Sequence, residues 1–441
     1  MPHWPDPSSR SAALYQRGLD VLPGGITRLQ PWQEPFPVYA ARGEGAYVVD
    51  VDGTRRLDFL NNFASLLHGH AYAPIVEAVC RQVALGTAFT NPTESEVQLA
   101  ELLCRRVAGF ENVRFCVSGT EAVMNAIKAS RALTGKPMIV KVEGCYHGTY
   151  DYAEVSLDPA PDAWGNEPRS VGHAAGTPQG VLADVAVIPF DDPEAAERII
   201  AQHADRLAAV LVDVAPSYLG MQLMSREFAA AINRAARAAG AMIISDEVIS
   251  FRFAAGGAAA LVGLEADFTT LAKIVGGGFP VGAVAGPRDT MRVFDHRAGK
   301  PLLPASGTFT ANPVSMVAGR LTLEHMPPER FDALNAMGAA LRARITERLT
   351  SHRLPAQITG TGSTFMLHLN QRALSDYRSM YPGTAERAAM VELQRLLTLA
   401  GYQLSPRGMG FLSTAMIEAD LDGFVDALMQ ALGALDLPTA T

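Results

Sequence analysis

Cysteine is scarce and scattered: four thiols, at Cys80, Cys104, Cys116 and Cys145, occur in 441 residues, with no C-x-x-C pair and no cysteine–histidine ligand spacing. This argues against a disulfide framework and against a zinc site, and the four read as reduced core thiols of a cytoplasmic protein. No run of lysine and arginine is present and the formal net charge is −8, so neither nucleic acid nor an anionic membrane surface is an expected partner. No stretch approaches the ~18 apolar residues that a membrane span needs. Residues 1–10 are polar and proline-bearing, without the basic and apolar regions of a targeting signal. Internal repeats and low-complexity linkers are also missing.

What is present is ample core. Hydrophobic residues make up 48% of the chain and charged residues 19%, the balance of an ordinary globular protein, and the length exceeds a single domain of roughly 150 residues. Short apolar runs alternate with helical patterns through the middle. VRFCV (113–117), MIVKV (138–142), AAVLVDV (208–214), AMIIS (241–245) and TTLA (269–272) read as buried strands, and TEAVMNAIKASRAL and REFAAAINRAARAAG as amphipathic helices between them. The pattern predicts an α/β layered domain with a mostly parallel sheet. Ahead of it lie a helix over 9–22 ended by PGG, an irregular aromatic-rich arm, and a hairpin in AYVVDVDGTRRLDF turning at Asp52-Gly53. Behind it a helical pattern runs from about Pro313 to Thr350, followed by strand, helix, strand and helix segments to about Leu435. The expected division is an N-terminal segment 1–60, a large domain 61–312 and a C-terminal small domain 313–441. The stretch 157–182, rich in Pro, Gly and Ala, is long for a loop, and therefore functional or mobile.

Parallel sheets bind ligands at the carboxyl ends of their strands, so the residues just past each apolar run are the informative ones. After VRFCV comes Ser118-Gly119-Thr120, opening a helix. Backbone N–H groups, two hydroxyls and the positive end of the helix dipole suit a phosphate there, although plain N-capping explains the same residues. After MIVKV, Tyr146 stands in EGCYHG between two glycines, where a ring can stack on a planar ligand or simply pack on a neighbour. After AMIIS, Asp246 needs a cationic partner, either an arginine such as Arg252 or a protonated ring nitrogen. TTLA delivers Lys273 just before three consecutive glycines. A cradle for phosphate, a stacking ring, a carboxylate and a lysine at successive strand ends describe a pyridoxal 5'-phosphate site, the lysine forming a Schiff base and the carboxylate keeping the pyridine protonated.

The set SGTEA, YHG, DEV, AKIVGGGFPVGA and SGTFTANP resembles the class III (subgroup II) aminotransferases among the fold-type I pyridoxal phosphate enzymes, over nearly the whole chain. The likeness is strongest to glutamate-1-semialdehyde aminomutase and to β-amino acid transaminases of the β-phenylalanine type. It implies a large, mostly parallel mixed-sheet domain flanked by helices, plus a smaller α+β domain from both chain ends. It further implies Lys273 as the Schiff-base residue and Asp246 at the pyridine nitrogen, Tyr146 and Val248 on opposite ring faces, and Ser118, Gly119 and Thr120 at the phosphate. Thr308 would reach the phosphate of the other subunit's cofactor, which implies a homodimer with shared sites. Where the family usually carries Glu-Pro and a glycine-containing loop, this chain reads Asp213-Val214-Ala215-Pro216-Ser217-Tyr218, so no substrate contact is carried over there.

Two arginines stand in stretches resembling the β-amino acid transaminases: Arg28 in PGGITRLQPWQEPFP and Arg407 in YQLSPRGMGFLS. A guanidinium pairs bidentately with a carboxylate, while the plainer reading is a solvated arm residue and a turn residue. By the likeness, Arg28 would hold the carboxylate of a β-amino acid and Arg407 that of the keto-acid acceptor. The LSPRG segment favours a transaminase using 2-oxoglutarate or pyruvate over an aminomutase that moves the amino group within one molecule. His68 and His70 lack further ligands in view and are expected in a loop rather than at a metal. A non-catalytic binding protein would have no use for Lys273 and Asp246 at neighbouring strand mouths.

Overall fold

A computed structural model describes residues 3–29, 32–297 and 299–436. The chain packs as two units, one drawn from within 1–76, 333–373 and 381–441, the other from 77–332 and 374–380. Residues 61–76 and 313–332 thus fall on the other side of the expected boundaries. The helix Pro313–Glu324 belongs to the second unit because it packs on the turn that carries Lys273: a Cβ at Gly319 would stand 1.8 Å from the Val275 carbonyl oxygen.

In the first unit, Ser9 caps the helix Arg10–Leu19 by accepting from the Ala12 N–H at 3.2 Å. Strands β1 (Ala40–Glu44), β2 (Tyr47–Asp50) and β3 (Arg55–Asp58) form an antiparallel meander. Its second turn lies at Asp52-Gly53 as expected, because Gly53 takes φ +88° and Asp50 Oδ1 accepts from the Asp52 and Thr54 N–H groups.

The second unit is built on a seven-stranded sheet of β4 (Asn112–Cys116), β5 (Met138–Val142), β6 (Val185–Ile188), β7 (Leu207–Val212), β8 (Met242–Asp246), β9 (Phe268–Ala272) and β10 (Gly282–Gly286). Their order is β4-β10-β9-β8-β7-β5-β6, and all neighbours are parallel except β10, which runs antiparallel to both β4 and β9. Every residue of β5, β6, β7, β9 and β10 is buried, as a sheet covered by helices on both faces requires. The helix Gly119–Thr134 lays Val123, Ala126 and Ile127 against Ile139, Leu211, Ile244 and Phe268, and stops at Gly135 with φ +69°.

The chain then contributes β11 (Gln357–Thr359), β12 (Thr364–His368), β13 (Tyr402–Gln403) and β14 (Met409–Phe411) to the first unit. β13 pairs in parallel with β3, and β11, β12 and β14 form a separate antiparallel sheet. The helical pattern expected over 313–350 is two helices, Pro313–Glu324 and Pro328–Ser351, since Pro327 and Pro328 withhold two backbone donors between them. Of the four thiols, Cys116 and Cys145 are buried and Cys104 is half-buried, but Cys80 is exposed on the helix Ala73–Leu85, which corrects its assignment to the core. No helix among the described residues is long and apolar enough to cross a membrane.

Candidate active site

Four strand ends of the second unit converge. Lys273 follows β9 directly and Asp246 ends β8, the adjacent strand. Lys273 takes φ +51°, a left-handed conformation that costs a non-glycine residue on the order of 1–3 kcal/mol. Burial pushes its ammonium below the ordinary lysine value, and the carboxylates of Asp246 and Asp213 pull it partly back.

The Asp246 carboxylate is buried and accepts from the Thr270 hydroxyl and the Val248 N–H, each at 3.1 Å. Its other oxygen lies 2.7 Å from His147 Nδ1. Burial drives the His147 imidazole below its usual value despite this partner, so the neutral ring donates from Nδ1. Its buried Nε2 meets no hydrogen-bond partner among the described residues. His147 escaped the sequence reading. Its position directly after Tyr146 was the available signal, but a partner 99 residues away leaves no trace in periodicity.

At the end of β4, Ser118 caps the helix Gly119–Thr134 by accepting from the Glu121 N–H at 3.2 Å, while the Glu121 carboxylate accepts from the Val117 N–H at 3.0 Å. The capping explanation for Ser118 is therefore present in the structure. Gly119 and Thr120 still present first-turn N–H groups that no intrahelical carbonyl can take. A Cβ at Gly119 would come within 3.1–3.4 Å of the Val248 and Ala272 side chains, which places this helix start beside both β8 and β9. Gly148 packs more closely still: its φ is +89°, and a Cβ would meet Thr120 Oγ1 at 2.4 Å. The Thr149 N–H donates to the same hydroxyl at 3.2 Å.

Tyr146 is 37% exposed at this mouth, its ring centroid 6.2 Å from that of Tyr218. Burial of the hydroxyl and the neighbouring Tyr218 both raise its phenol above the usual value. Asp213 lies buried just past the end of β7 and accepts from the Ala215 N–H at 2.9 Å. Burial, then repulsion from Asp246, pushes its carboxyl well above the usual range. Thr308 sits in an exposed turn of the same unit next to Phe309, which is 60% exposed.

A short excursion completes the unit. Leu374–Met380, whose chain neighbours belong to the first unit, returns to clamp the residues ahead of Tyr146. Arg378 forks onto Glu143 through Nε at 2.9 Å and Nη2 at 3.1 Å, and its Nη1 donates to the Gly165 carbonyl at 2.7 Å. The Tyr377 hydroxyl donates to Asp158 at 2.7 Å, and its ring leaves no room for a Cβ at Gly144. The proline- and glycine-rich stretch is tied down by these bonds and by the Ser156 N–H to the Val171 carbonyl at 2.8 Å.

Arg28 and Arg407 belong to the first unit. Arg28 Nη1 donates to Asn62 Oδ1 at 2.8 Å and its guanidinium lies 5.7 Å from the Phe63 ring centroid. Arg407 lies in the turn Ser405–Gly408, where its N–H donates to Ser405 Oγ at 3.3 Å. His70 pairs with Asp58 at 2.7 Å and His68 stacks on Tyr72 with centroids 4.6 Å apart. Among the described residues no cluster of three or more His, Cys, Asp or Glu could hold a metal.

Comparison with known proteins points to one family. The family model of class-III aminotransferases matches residues 29–394. An omega-transaminase from Sphaerobacter thermophilus superposes with a TM-score of 0.94 at 48% identity, covering 97% of this chain and 98% of that one. A beta-phenylalanine aminotransferase from Variovorax paradoxus gives 0.87 at 32% identity, covering 98% and 96%. A glutamate-1-semialdehyde 2,1-aminomutase from Thermomicrobium roseum is 36% identical over 432 residues, 96% of this chain and 97% of the relative. With a family match over most of its length and a site of lysine, carboxylate, ring and helix start at the strand ends, the chain belongs to the class-III aminotransferases.

Proposed function

We propose that this aminotransferase moves the amino group of a β-amino acid to a keto acid such as 2-oxoglutarate or pyruvate. Its cofactor is pyridoxal 5'-phosphate, and the residues present fit it: a helix start at Gly119 where a Cβ would be crowded at 3.1–3.4 Å, an orphaned imidazole nitrogen on His147, and a carboxylate beside a desolvated lysine. When bound, the cofactor supplies an aldehyde for amino groups and a ring that accepts electrons. Lys273 Nζ holds the cofactor between turnovers and moves the substrate proton. Asp246 holds the proton on the ring nitrogen, and His147 and Thr270 fix the Asp246 carboxylate in place. Tyr146 and Val248 cover the two ring faces and exclude water. Ser118, Gly119 and Thr120 bind the phosphate, and Thr308 reaches that of a partner subunit. Arg28 takes the donor carboxylate and Arg407 the acceptor carboxylate.

The observation that carries this reading is the pairing of a desolvated Lys273 with Asp246 at adjacent strand ends. The likeness to a beta-phenylalanine aminotransferase and the LSPRG turn support the β-amino acid. The reading includes a cytoplasmic homodimer with shared sites, acting on small acids and on neither membranes nor nucleic acid; the exposed Thr308 turn supports the dimer, and sedimentation would test it. A second reading, intramolecular transfer on glutamate-1-semialdehyde, is favoured by the aminomutase relatives. The two are separated by supplying purified holoenzyme with β-phenylalanine and 2-oxoglutarate or pyruvate, and separately with glutamate-1-semialdehyde alone. Turnover only in the first supports the transaminase.

A further inference from the structure

Four consecutive residues of the first unit, none of them glycine, lie in the left-handed region: Asn61, Asn62, Phe63 and Ala64, with φ of 46°, 49°, 53° and 71°. Such conformations persist only where the surroundings over-determine them. Here they do. The Asp58 carboxylate accepts from the Leu60 and Asn61 N–H groups at 2.8 and 3.2 Å, and the buried Asn61 amide donates to the Phe411 carbonyl at 2.7 Å.

The turn fixes one amide above all. Ser65 Oγ gives its proton to the Asn62 carbonyl at 3.0 Å, so towards the Asn62 side chain it can only accept, and it takes Nδ2 at 3.0 Å. That hydroxyl settles which way the Asn62 amide points: Oδ1 faces away from Ser65 and receives Arg28 Nη1 at 2.8 Å, with Phe63 beside the guanidinium. No carboxylate among the described residues lies within ion-pair distance of Arg28. An exposed arginine on an irregular arm would otherwise sample many rotamers, each of which must be given up when it binds a ligand.

We propose that the left-handed turn is a positioning device for carboxylate recognition, in which Asn62, oriented by Ser65, and the neighbouring Phe63 hold the Arg28 guanidinium ready for the carboxylate of the amino donor. The proposal rests on the reading of Arg28 as the donor anchor. Asn62 takes one of the five guanidinium N–H donors and leaves an edge for a bidentate pair. Being neutral, it orients the cation without cancelling its charge, which an aspartate there would do.

The test uses holoenzyme and single-turnover half-reactions, β-phenylalanine as donor and 2-oxoglutarate or pyruvate as acceptor. Asn62→Gly relieves the left-handed strain while deleting the amide, so folding is protected. Expected are an unchanged or higher Tm, a donor KM raised about three- to ten-fold as for one lost hydrogen bond, an unchanged acceptor KM, and no further effect of Asn62→Gly in an Arg28→Ala background. Asn62→Asp should raise the donor KM more than Asn62→Gly. A donor KM that rises in Arg28→Ala but not in Asn62→Gly overturns the positioning role and leaves Arg28 as the anchor. A donor KM untouched by Arg28→Ala overturns both. Equal effects of Asn62→Gly in the wild-type and Arg28→Ala backgrounds would assign Asn62 a role independent of Arg28 and end the proposal.

Discussion

His147 Nδ1 and Asp246 Oδ2 stand 2.7 Å apart where both side chains are almost fully withdrawn from water, at 0% and 4% exposure. An N–H donor held there fixes the carboxylate plane, and Thr270 and the Val248 N–H hold the other oxygen. Asp246→Asn removes the charge from this buried set, at a cost of about 3–5 kcal/mol where a charged partner is left. Turnover in stopped-flow assays should fall by orders of magnitude. His147→Ala should cost less, because two of the three hydrogen bonds to Asp246 remain, and His147→Gln less again; near-normal turnover in Asp246→Asn would remove Asp246 from the mechanism.

Lys273→Ala should abolish turnover without unfolding the protein. The change deletes an ammonium that burial disfavours but also takes a cation away from the buried Asp246 and Asp213, so the cofactor-free variant should still unfold cooperatively, with a Tm lowered rather than abolished. In the parent enzyme, borohydride reduction followed by peptide mapping should find the cofactor mass on the Lys273 peptide. Its appearance on another lysine, the buried Lys141 included, would refute the assignment.

The two arginines should divide the reaction. An amino group on the β carbon sets the donor carboxylate one bond farther from the reacting centre than in an α-keto acid, so one anchor cannot serve both without strain. Arg407→Ala should slow the acceptor half-reaction, and Arg28→Ala the donor half-reaction, each by about ten- to a hundred-fold in kcat/KM. If glutamate-1-semialdehyde is isomerised without a keto acid and Arg407→Ala leaves that rate alone, the aminomutase reading stands instead.

A pH effect is expected in the first unit. His368, 5% exposed on β12, is pulled down to about 4, by burial first and then by Arg372. The unfolded chain therefore binds the extra proton between about pH 6.5 and 4 while the folded chain does not, so acidification through that window removes stability, and below 4 the loss is complete. The full effect is on the order of 3 kcal/mol at 1.36 kcal/mol per unit. In chemical denaturation from pH 7 to 4, His368→Gln should show a shallower decline than the parent; parallel curves would contradict it.

The mouths of β4, β5, β8 and β9 were legible because each is an apolar run that stops at a glycine or a charge. β6 and β10 were not. VAVI is four residues long, and GAVAG surrounds its one strand-favouring residue, Val284, with glycine and alanine. β10 is a strand because its neighbours demand small residues: a Cβ at Gly282 would stand 2.0 Å from the Ser118 carbonyl oxygen. That glycine keeps the start of the helix Gly119–Thr134 against the sheet, a tertiary fact with no local signature. His147 and Thr270 were hidden for the same reason, as was the left-handed turn, since Asn-Asn-Phe-Ala carries no glycine to announce it.

The excursion Leu374–Met380 has a consequence in time. Glu143 and Arg378 are 235 residues apart, so at about 5–20 residues per second a ribosome makes one roughly ten to fifty seconds before the other. Once β10 has been made, at Gly286, the nascent chain can hold all seven strands of the large sheet while Glu143 still lacks its guanidinium and Gly144 its covering ring. A chain stopped anywhere between residues 333 and 373 is frozen in that state, with Lys273 and Asp246 made but the Tyr146 segment unclamped. Synthesis of the last quarter of the protein is therefore what finishes the front of the cofactor site.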